Sequence, residues 1–312
     1  MAPLKSIAFA SPNPGARLIV LGAVHGNEVC GTHAIRRVVD AIDRGEFELV
    51  AGRVTFVPVT NPLAYANQRR NGDRNLNRRL APSSAPREFE DHIANWLCPL
   101  LAQHEVLLDL HSFQAPGSAF VMLGPTDNNG PIEPFSHAAQ EEALALRLGV
   151  GRALDGWLSC YAAGAARREG VTEATSAAQG IGTTEYMRSV GGWALTLECG
   201  QHDDPGAPEV AYRAILNTLA HLHLVDRGEP AEATAMEGLR LCEVIDKQHA
   251  GDTFARAWKS FDPVHAGELI GTRHDGMPVA APFDGRIVFP KADGEAGQEW
   301  FYLATPSPRL AR

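Results

Sequence analysis

Several stretches of this 312-residue chain carry side chains whose types and spacing could do chemistry. His25 and Glu28 stand three residues apart in Val20-Leu21-Gly22-Ala23-Val24-His25-Gly26-Asn27-Glu28. A histidine and a glutamate so placed can converge on one cation, with Gly26 relaxing the backbone between them. The plainer alternative has His25 capping a strand and Glu28 in the first turn of a helix. His111 directly follows the strand-like run Glu105-Val106-Leu107-Leu108-Asp109-Leu110. Together His25, Glu28 and His111 make a coherent set of two histidines and a glutamate for zinc, with a position left open for water. Asp109 could orient a ligand from behind, or be an ordinary buried acid. Glu198, at the end of Trp193-Ala194-Leu195-Thr196-Leu197, is a candidate general base. Cys199 beside it has no base adjacent in sequence, which argues against a nucleophilic thiol.

Between these lies Asn67-Gln68-Arg69-Arg70-Asn71-Gly72-Asp73-Arg74-Asn75-Leu76-Asn77-Arg78-Arg79, almost wholly polar and without a helical apolar stripe. A solvated basic loop is the ordinary reading of such a run. In a cleft, the same guanidinium groups would grip carboxylates with paired hydrogen bonds or meet a developing oxyanion. Arginine and asparagine at the mouth of a sheet suggest a small anionic substrate.

The elements that must position these groups follow from the apolar pattern. Strands are expected at 6–10, 18–24, 53–59, 105–110, 119–123 and 193–197, and helices at 31–42, 87–101, 137–154 and 208–225. Asn61-Pro62 stops the third strand. Residues 126–135 read as loop and 162–170 as small and basic. Residues 173–184 lack strong periodicity and are expected to be mobile or to line a pocket. Strands alternating with helices predict an α/β domain over 1–228, with ligands gathering at the carboxyl ends of its strands. The charged turn at 226–230 reads as a linker. Beyond it, short strand patterns near 239–245, 253–258, 267–271, 279–281, 285–289 and 300–304 predict a small all-β domain over 231–312, with no second cluster of metal ligands.

Composition narrows the class. With 45% hydrophobic residues the chain can bury a substantial core, and a net charge of -9 with a pI near 5.7 gives no electrostatic signature for nucleic acid. The five cysteines, an odd number without close-paired spacing, fit a reducing compartment. No apolar segment with a cleavage site opens the chain, and no window approaches a membrane span. A cytoplasmic protein with neither nucleic-acid nor membrane partners is the expectation.

The motifs, taken together, resemble the succinylglutamate desuccinylase/aspartoacylase family within the zinc carboxypeptidase-like superfamily. The likeness rests on Gly22-Ala23-Val24-His25-Gly26-Asn27-Glu28, Asn61-Pro62, the segment from Arg70 to Asn77-Arg78, Asp109-Leu110-His111-Ser112 and Thr196-Leu197-Glu198-Cys199-Gly200. It implies a carboxypeptidase-like sheet, mostly parallel or mixed, flanked by helices and followed by a barrel-like β domain. It implies one zinc per chain on His25, Glu28 and His111, and Glu198 as the catalytic carboxylate. Arg70 would help polarise the scissile carbonyl, and Asn77 with Arg78 would hold the substrate's carboxylate region. Arg188, ten residues before Glu198, resembles a further carboxylate-binding arginine, although its neighbours match poorly. Residues 264–305 resemble a lipoyl- or biotinyl-carrier barrel without a lysine at a tight turn for attachment. The implied activity is hydrolysis of a small N-acyl amino acid. A metallocarboxypeptidase for short peptides and a non-catalytic small-molecule binder are the alternatives. The β domain is expected either to cover the mouth of the site or to build a homo-oligomer interface.

Overall fold

The computed structural model describes residues 3–168 and 170–310. The ends of the two expected units, at 1–2 and 311–312, lie outside the described residues, as does Glu169 in the small basic stretch. The first part of the chain runs β1 (Ile7–Ala10), β2 (Arg17–Leu21), α1 (Cys30–Asp43), β3 (Arg53–Val57), α2 (Pro62–Ala66), α3 (Phe89–Leu101), β4 (Val106–Phe113) and β5 (Phe120–Met122). There follow α4 (Ala138–Ala145), β6 (Arg152–Asp155), α5 (Trp157–Ala165), α6 (Glu173–Gly180), α7 (Thr183–Ser189), β7 (Trp193–Gln201) and α8 (Ala207–His221). Only strands come after that: β8 (Glu237–Asp246), β9 (Thr253–Phe254), β10 (Pro263–Val264), β11 (Leu269–Thr272), β12 (Pro278–Ala280), β13 (Gly285–Val288) and β14 (Glu299–Pro306).

The apolar runs of β2 and β4 are continuous because both faces of the sheet are covered. Alternate residues serve alternate layers. Leu18 and Val20 pack with Ile35 and Val38 of α1 and with Ile215 and Leu219 of α8. Ile19 and Leu21 pack with Ile93 and Leu97 of α3 on the other side. The strands pair in the order β1-β3-β2-β4-β7-β5-β6-β8-β14-β13-β10, an eleven-stranded mixed sheet. β3, β2, β4 and β7 run parallel at its centre, while β5 lies antiparallel to β7. A separate sheet holds β12, β11 and β9. The expected α/β fold with an additional small sheet near the carboxyl end is thus present. Residues 239–304 do form strands, and β8 pairs in parallel with β6. Backbone hydrogen bonding therefore continues across the expected boundary, and Phe113 and Phe120 pack with Phe261, Val288 and Tyr302 in one cluster.

The expected helix over 137–154 forms only in part. α4 ends at Ala145, Gly149 beyond it takes φ +86, which bars a return to helix, and residues 152–155 leave as strand β6. Residues 173–184, aperiodic in sequence, contain α6 and the start of α7. The third strand ends at Val57, before Asn61-Pro62, which instead begins α2, where Asn61 Oδ1 accepts the Ala64 amide at 3.1 Å. No helix among the described residues is long and apolar enough to cross a membrane.

Candidate active site

Parallel registry delivers the functional groups. His111 on β4 stands opposite Glu198 on β7, and β2 beside β4 runs out at Leu21 into the turn carrying His25 and Glu28. That turn passes through Ala23 at φ 47, a sparsely populated conformation for a residue with a Cβ. Gly26, expected to relax the backbone here, contributes closeness. A Cβ there would stand 2.0 Å from the Ala64 carbonyl carbon, so only glycine lets the turn lie against α2.

His25, Glu28 and His111 gather their ligand atoms within 4.8 Å of one another. His25 Nδ1 lies 2.8 Å from Glu28 Oε1, and His111 Nδ1 lies 2.8 Å from Glu28 Oε2. The outward ring nitrogens meet acceptors: His25 Nε2 is 3.0 Å from Asn75 Oδ1, and His111 Nε2 is 2.9 Å from Asp109 Oδ2. An acceptor there places the hydrogen on Nε2 and leaves Nδ1 to ligate. Asp109 is held in turn by the Thr183 hydroxyl. Burial, with help from Arg70, lowers the His25 pKa to about 4, so its ring is neutral. Burial also opposes charge on His111, but Asp109 and Glu28 outweigh it and push that pKa well up, so without a metal its Nδ1 keeps a proton that ligation would displace. His25 Nδ1 is buried and in no hydrogen-bonding orientation. This donor set, with an orphaned nitrogen aimed inward, fits a divalent metal of the zinc type.

Around the cluster lies a cavity of about 370 Å³ lined by Arg70, Asn77, Arg78, Arg188 and Glu198 as well as His25 and His111. Glu198 is 8% exposed and its Oε2 has no hydrogen-bond partner. Burial, reinforced by the nearby Glu28 charge, raises its pKa to about 8. Arg70 Nη1 donates to Glu28 Oε1 at 2.7 Å, so in this structure it compensates the carboxylate at the centre of the cluster. Arg78 lies between aromatic rings, 4.8 Å from Trp157 and 4.7 Å from Tyr161. Its Nη1 donates to the Asn77 carbonyl at 2.7 Å, while its buried Nε has no partner. Asn77 Oδ1 accepts the Thr183 amide at 2.8 Å. Arg188 lines the cavity, but its guanidinium already holds Glu141, Glu133 and the Ala194 carbonyl.

Sequence reasoning named Asp109 and missed the other supports. Glu90, fully buried, accepts the amides of Gly72, Asp73 and Arg74 and the Asn61 side chain. Three successive amides on one carboxylate make the arginine-rich run an ordered loop. Asn75 lies within that run, and only its spacing to His25 in space reveals its use. Glu299 of β14 and Lys291 of the loop before it reach the cavity. Glu299 Oε1 is 3.5 Å from Arg78 Nη2. Burial opposes ionisation of Glu299, but Arg78, Lys291 and Arg168 hold it well below the usual carboxylate range. Ser112 shares a 2.9 Å hydrogen bond with His202, and its amide donates to Glu28 Oε2 at 3.2 Å.

Residues 14–123 match the family model of the succinylglutamate desuccinylase/aspartoacylase catalytic domain. Comparison with curated proteins gives no match. Among solved structures, a succinylglutamate desuccinylase/aspartoacylase from Rhodobacter sphaeroides is similar over 97% of this chain and 90% of its own, with a TM-score of 0.72 and 19% identity. The product-bound ectoine utilization protein of Ruegeria pomeroyi is similar over 96% and 88%, with a TM-score of 0.71 and 16% identity. Succinylglutamate desuccinylase from Vibrio cholerae is similar over 94% and 82%, with a TM-score of 0.70 and 19% identity. At these identities the structural likeness speaks for the fold, and Arg188 and Glu198 fall outside the matched segment. The segment that carries His25, Glu28, Arg70, Asn77, Arg78 and His111 is thus a catalytic-domain segment of the succinylglutamate desuccinylase/aspartoacylase family, set in a chain that shares that group's fold along nearly its whole length.

Proposed function

We propose that the protein is a zinc-dependent amidohydrolase that cleaves a small N-acyl amino acid to a carboxylate and the free amino acid. The observation that carries this reading is the orphaned Glu198 carboxylate in the same cavity as the cluster of His25, Glu28 and His111. His25 Nδ1, His111 Nδ1 and the Glu28 carboxylate would hold the ion. Bound there, zinc supplies the Lewis acidity that activates water and polarises a carbonyl.

The remaining work belongs to the chain's own groups. Glu198 takes the proton of the attacking water at its free Oε2 and delivers it to the leaving nitrogen. Arg70, half exposed in the cavity wall, meets negative charge as it develops on the carbonyl oxygen. Asn77 and Arg78 hold the substrate carboxylate. Arg78 is suited to this because stacking fixes its plane while Nε is left without an acceptor. Asp109 and Asn75 keep both imidazoles turned inward.

The test is a hydrolysis screen of the zinc-loaded protein against N-acetyl, N-succinyl and longer N-acyl amino acids, with short peptides alongside, reading the freed amine. The expected result is release from acylated amino acids with a free α-carboxylate, and little from their carboxamide analogues. Peptides outperforming every acylated amino acid would make the protein a metallocarboxypeptidase instead.

A further inference from the structure

One stretch of the cavity wall has a charge balance that the amide chemistry does not need. It is formed by Met122, Thr184, Glu185, Arg188 and Thr196. Arg188 is the cation there, and protein acceptors surround it. Its Nε donates to Glu141 Oε1 at 2.8 Å and its Nη1 to Glu133 Oε1 at 2.9 Å. Its Nη2 donates to the Ala194 carbonyl at 2.8 Å, and Glu185 Oε1 stands 3.6 Å from Nη1. Glu141 is fixed from behind by the amides of Ala194 and Gly124. Gly124 has to be glycine, because a Cβ would come within 2.2 Å of Arg188 Nε. The guanidinium is therefore clamped in one position and largely saturated.

Glu141 and Glu185, joined by Glu133 where it is ionised, leave an excess of negative charge around one guanidinium. The excess is buried: Arg188 is 6% exposed, Glu185 8% and Glu141 0%. Part of it faces the cavity through Glu185. Its Oε2 caps the Gly182 amide, and its Oε1 takes only the neutral hydroxyl of Thr184 within hydrogen-bond range. Burial and the neighbouring carboxylates push the Glu133 pKa up to about 7, against the pull of Arg188. A second carboxylate brought to this wall by a substrate would meet like charge at low dielectric, where repulsion is strong. An ammonium would meet what the wall lacks.

We propose that this wall selects the substrate's side chain, rejecting a second carboxylate and accepting an amine-bearing chain. The substrate is then an N-acyl derivative of a basic amino acid. The inference rests on the amidohydrolase reading for the reaction, but not for the binding preference. Specificity here comes from a repulsive element as much as from an attractive one.

The test uses three ligands of equal chain length, Nα-acetylornithine, Nα-acetylnorvaline and N-acetylglutamate, with the full zinc-loaded chain. Hydrolysis is read as freed amine, and binding by calorimetry. The expected order in kcat/KM and in affinity is ornithine, then norvaline, then glutamate, with about tenfold or more between the first and last. The Glu133→Gln variant, checked for an unchanged melting profile, should narrow that ratio about three- to tenfold, chiefly through KM. Hydrolysis that favours glutamate, or does not discriminate, overturns this inference and leaves the amidohydrolase reading standing. Tightest binding of the ornithine derivative without any turnover overturns the amidohydrolase reading and supports this one. If none of the three binds or reacts, both fall.

Discussion

Asn75 Oδ1 lies 3.0 Å from His25 Nε2, on the side of the ring facing away from Glu28. The relation turns a loop residue into the support of an imidazole proposed to hold the metal. Asn75→Ala should weaken zinc binding about 10–100-fold while leaving the fold intact, as read by competition with a chromophoric chelator. Asn75→Asp keeps an acceptor in place and should recover most of the loss. Equal zinc affinity in the alanine variant and the parent would show that the contact positions nothing.

Glu198→Gln keeps the shape and removes the proposed base. Turnover should fall by about 10²–10⁴ with zinc content unchanged, both measured on one preparation. Loss of zinc as well would make Glu198 a ligand or a prop.

The same variant has a signature in the metal-free protein. Glu198 titrates near 4.5 when unfolded and at about 8 when folded, raised by burial and then by Glu28. Between those values the native state binds the proton more tightly, so stability falls as pH rises through the window and is fully diminished above it. Metal-free Glu198→Gln should therefore melt above the parent at about pH 9, and the two should converge near pH 4. Each kcal/mol relieved raises the melting temperature by about 2–4 °C in a chain of this size or somewhat smaller. Parallel melting curves at both pH values would contradict the buried, strained carboxylate.

Gly26→Ala tests close approach. The added carbon would meet the backbone of Ala64 at 2.0 Å, and backbone cannot swing aside as a flexible side chain can. A loss of about 1–3 kcal/mol is expected in denaturant titration, with weaker zinc binding because His25 and Glu28 flank the position.

Glu90 tests the loop without touching the cavity. Glu90→Gln replaces one acceptor oxygen with a donor facing the amides of residues 72–74. It should cost about 2–4 kcal/mol and reduce activity through displaced Arg70 and Arg78. Activity that survives the loss of Glu90 would show that the loop is ordered by other contacts.

How much of this was legible in the sequence depends on the range of the contact. His25, Glu28, His111 and Glu198 could be found because each follows an apolar run, and parallel strands deliver such residues to one edge. Residues 137–154 misled because apolar and charged positions alternate at helical spacing on both sides of two glycines. In the structure the helix ends at Ala145, before either glycine. The supports were invisible for a different reason. Glu90 works on amides 16–18 residues upstream, and Thr183 on an aspartate 74 residues away. Neither leaves a periodic trace. Arg188 shows the converse. The family resemblance implied a substrate contact for it, and the sequence around it gave no sign that Glu133 and Glu141, more than forty residues earlier, hold its guanidinium.

The pairing of β6 with β8 also bears on how the chain stays apart from its copies. Ala153 and Leu154 of β6 are 2% and 0% exposed, and their outer amides and carbonyls are occupied by residues 237–240. A chain ending at 230 would bare that strand as a row of unsatisfied, apolar-flanked hydrogen-bonding groups, a ready template for another molecule's backbone. The carboxyl-terminal strands therefore act as a guard against edge-to-edge aggregation, whatever else they contribute to the cavity.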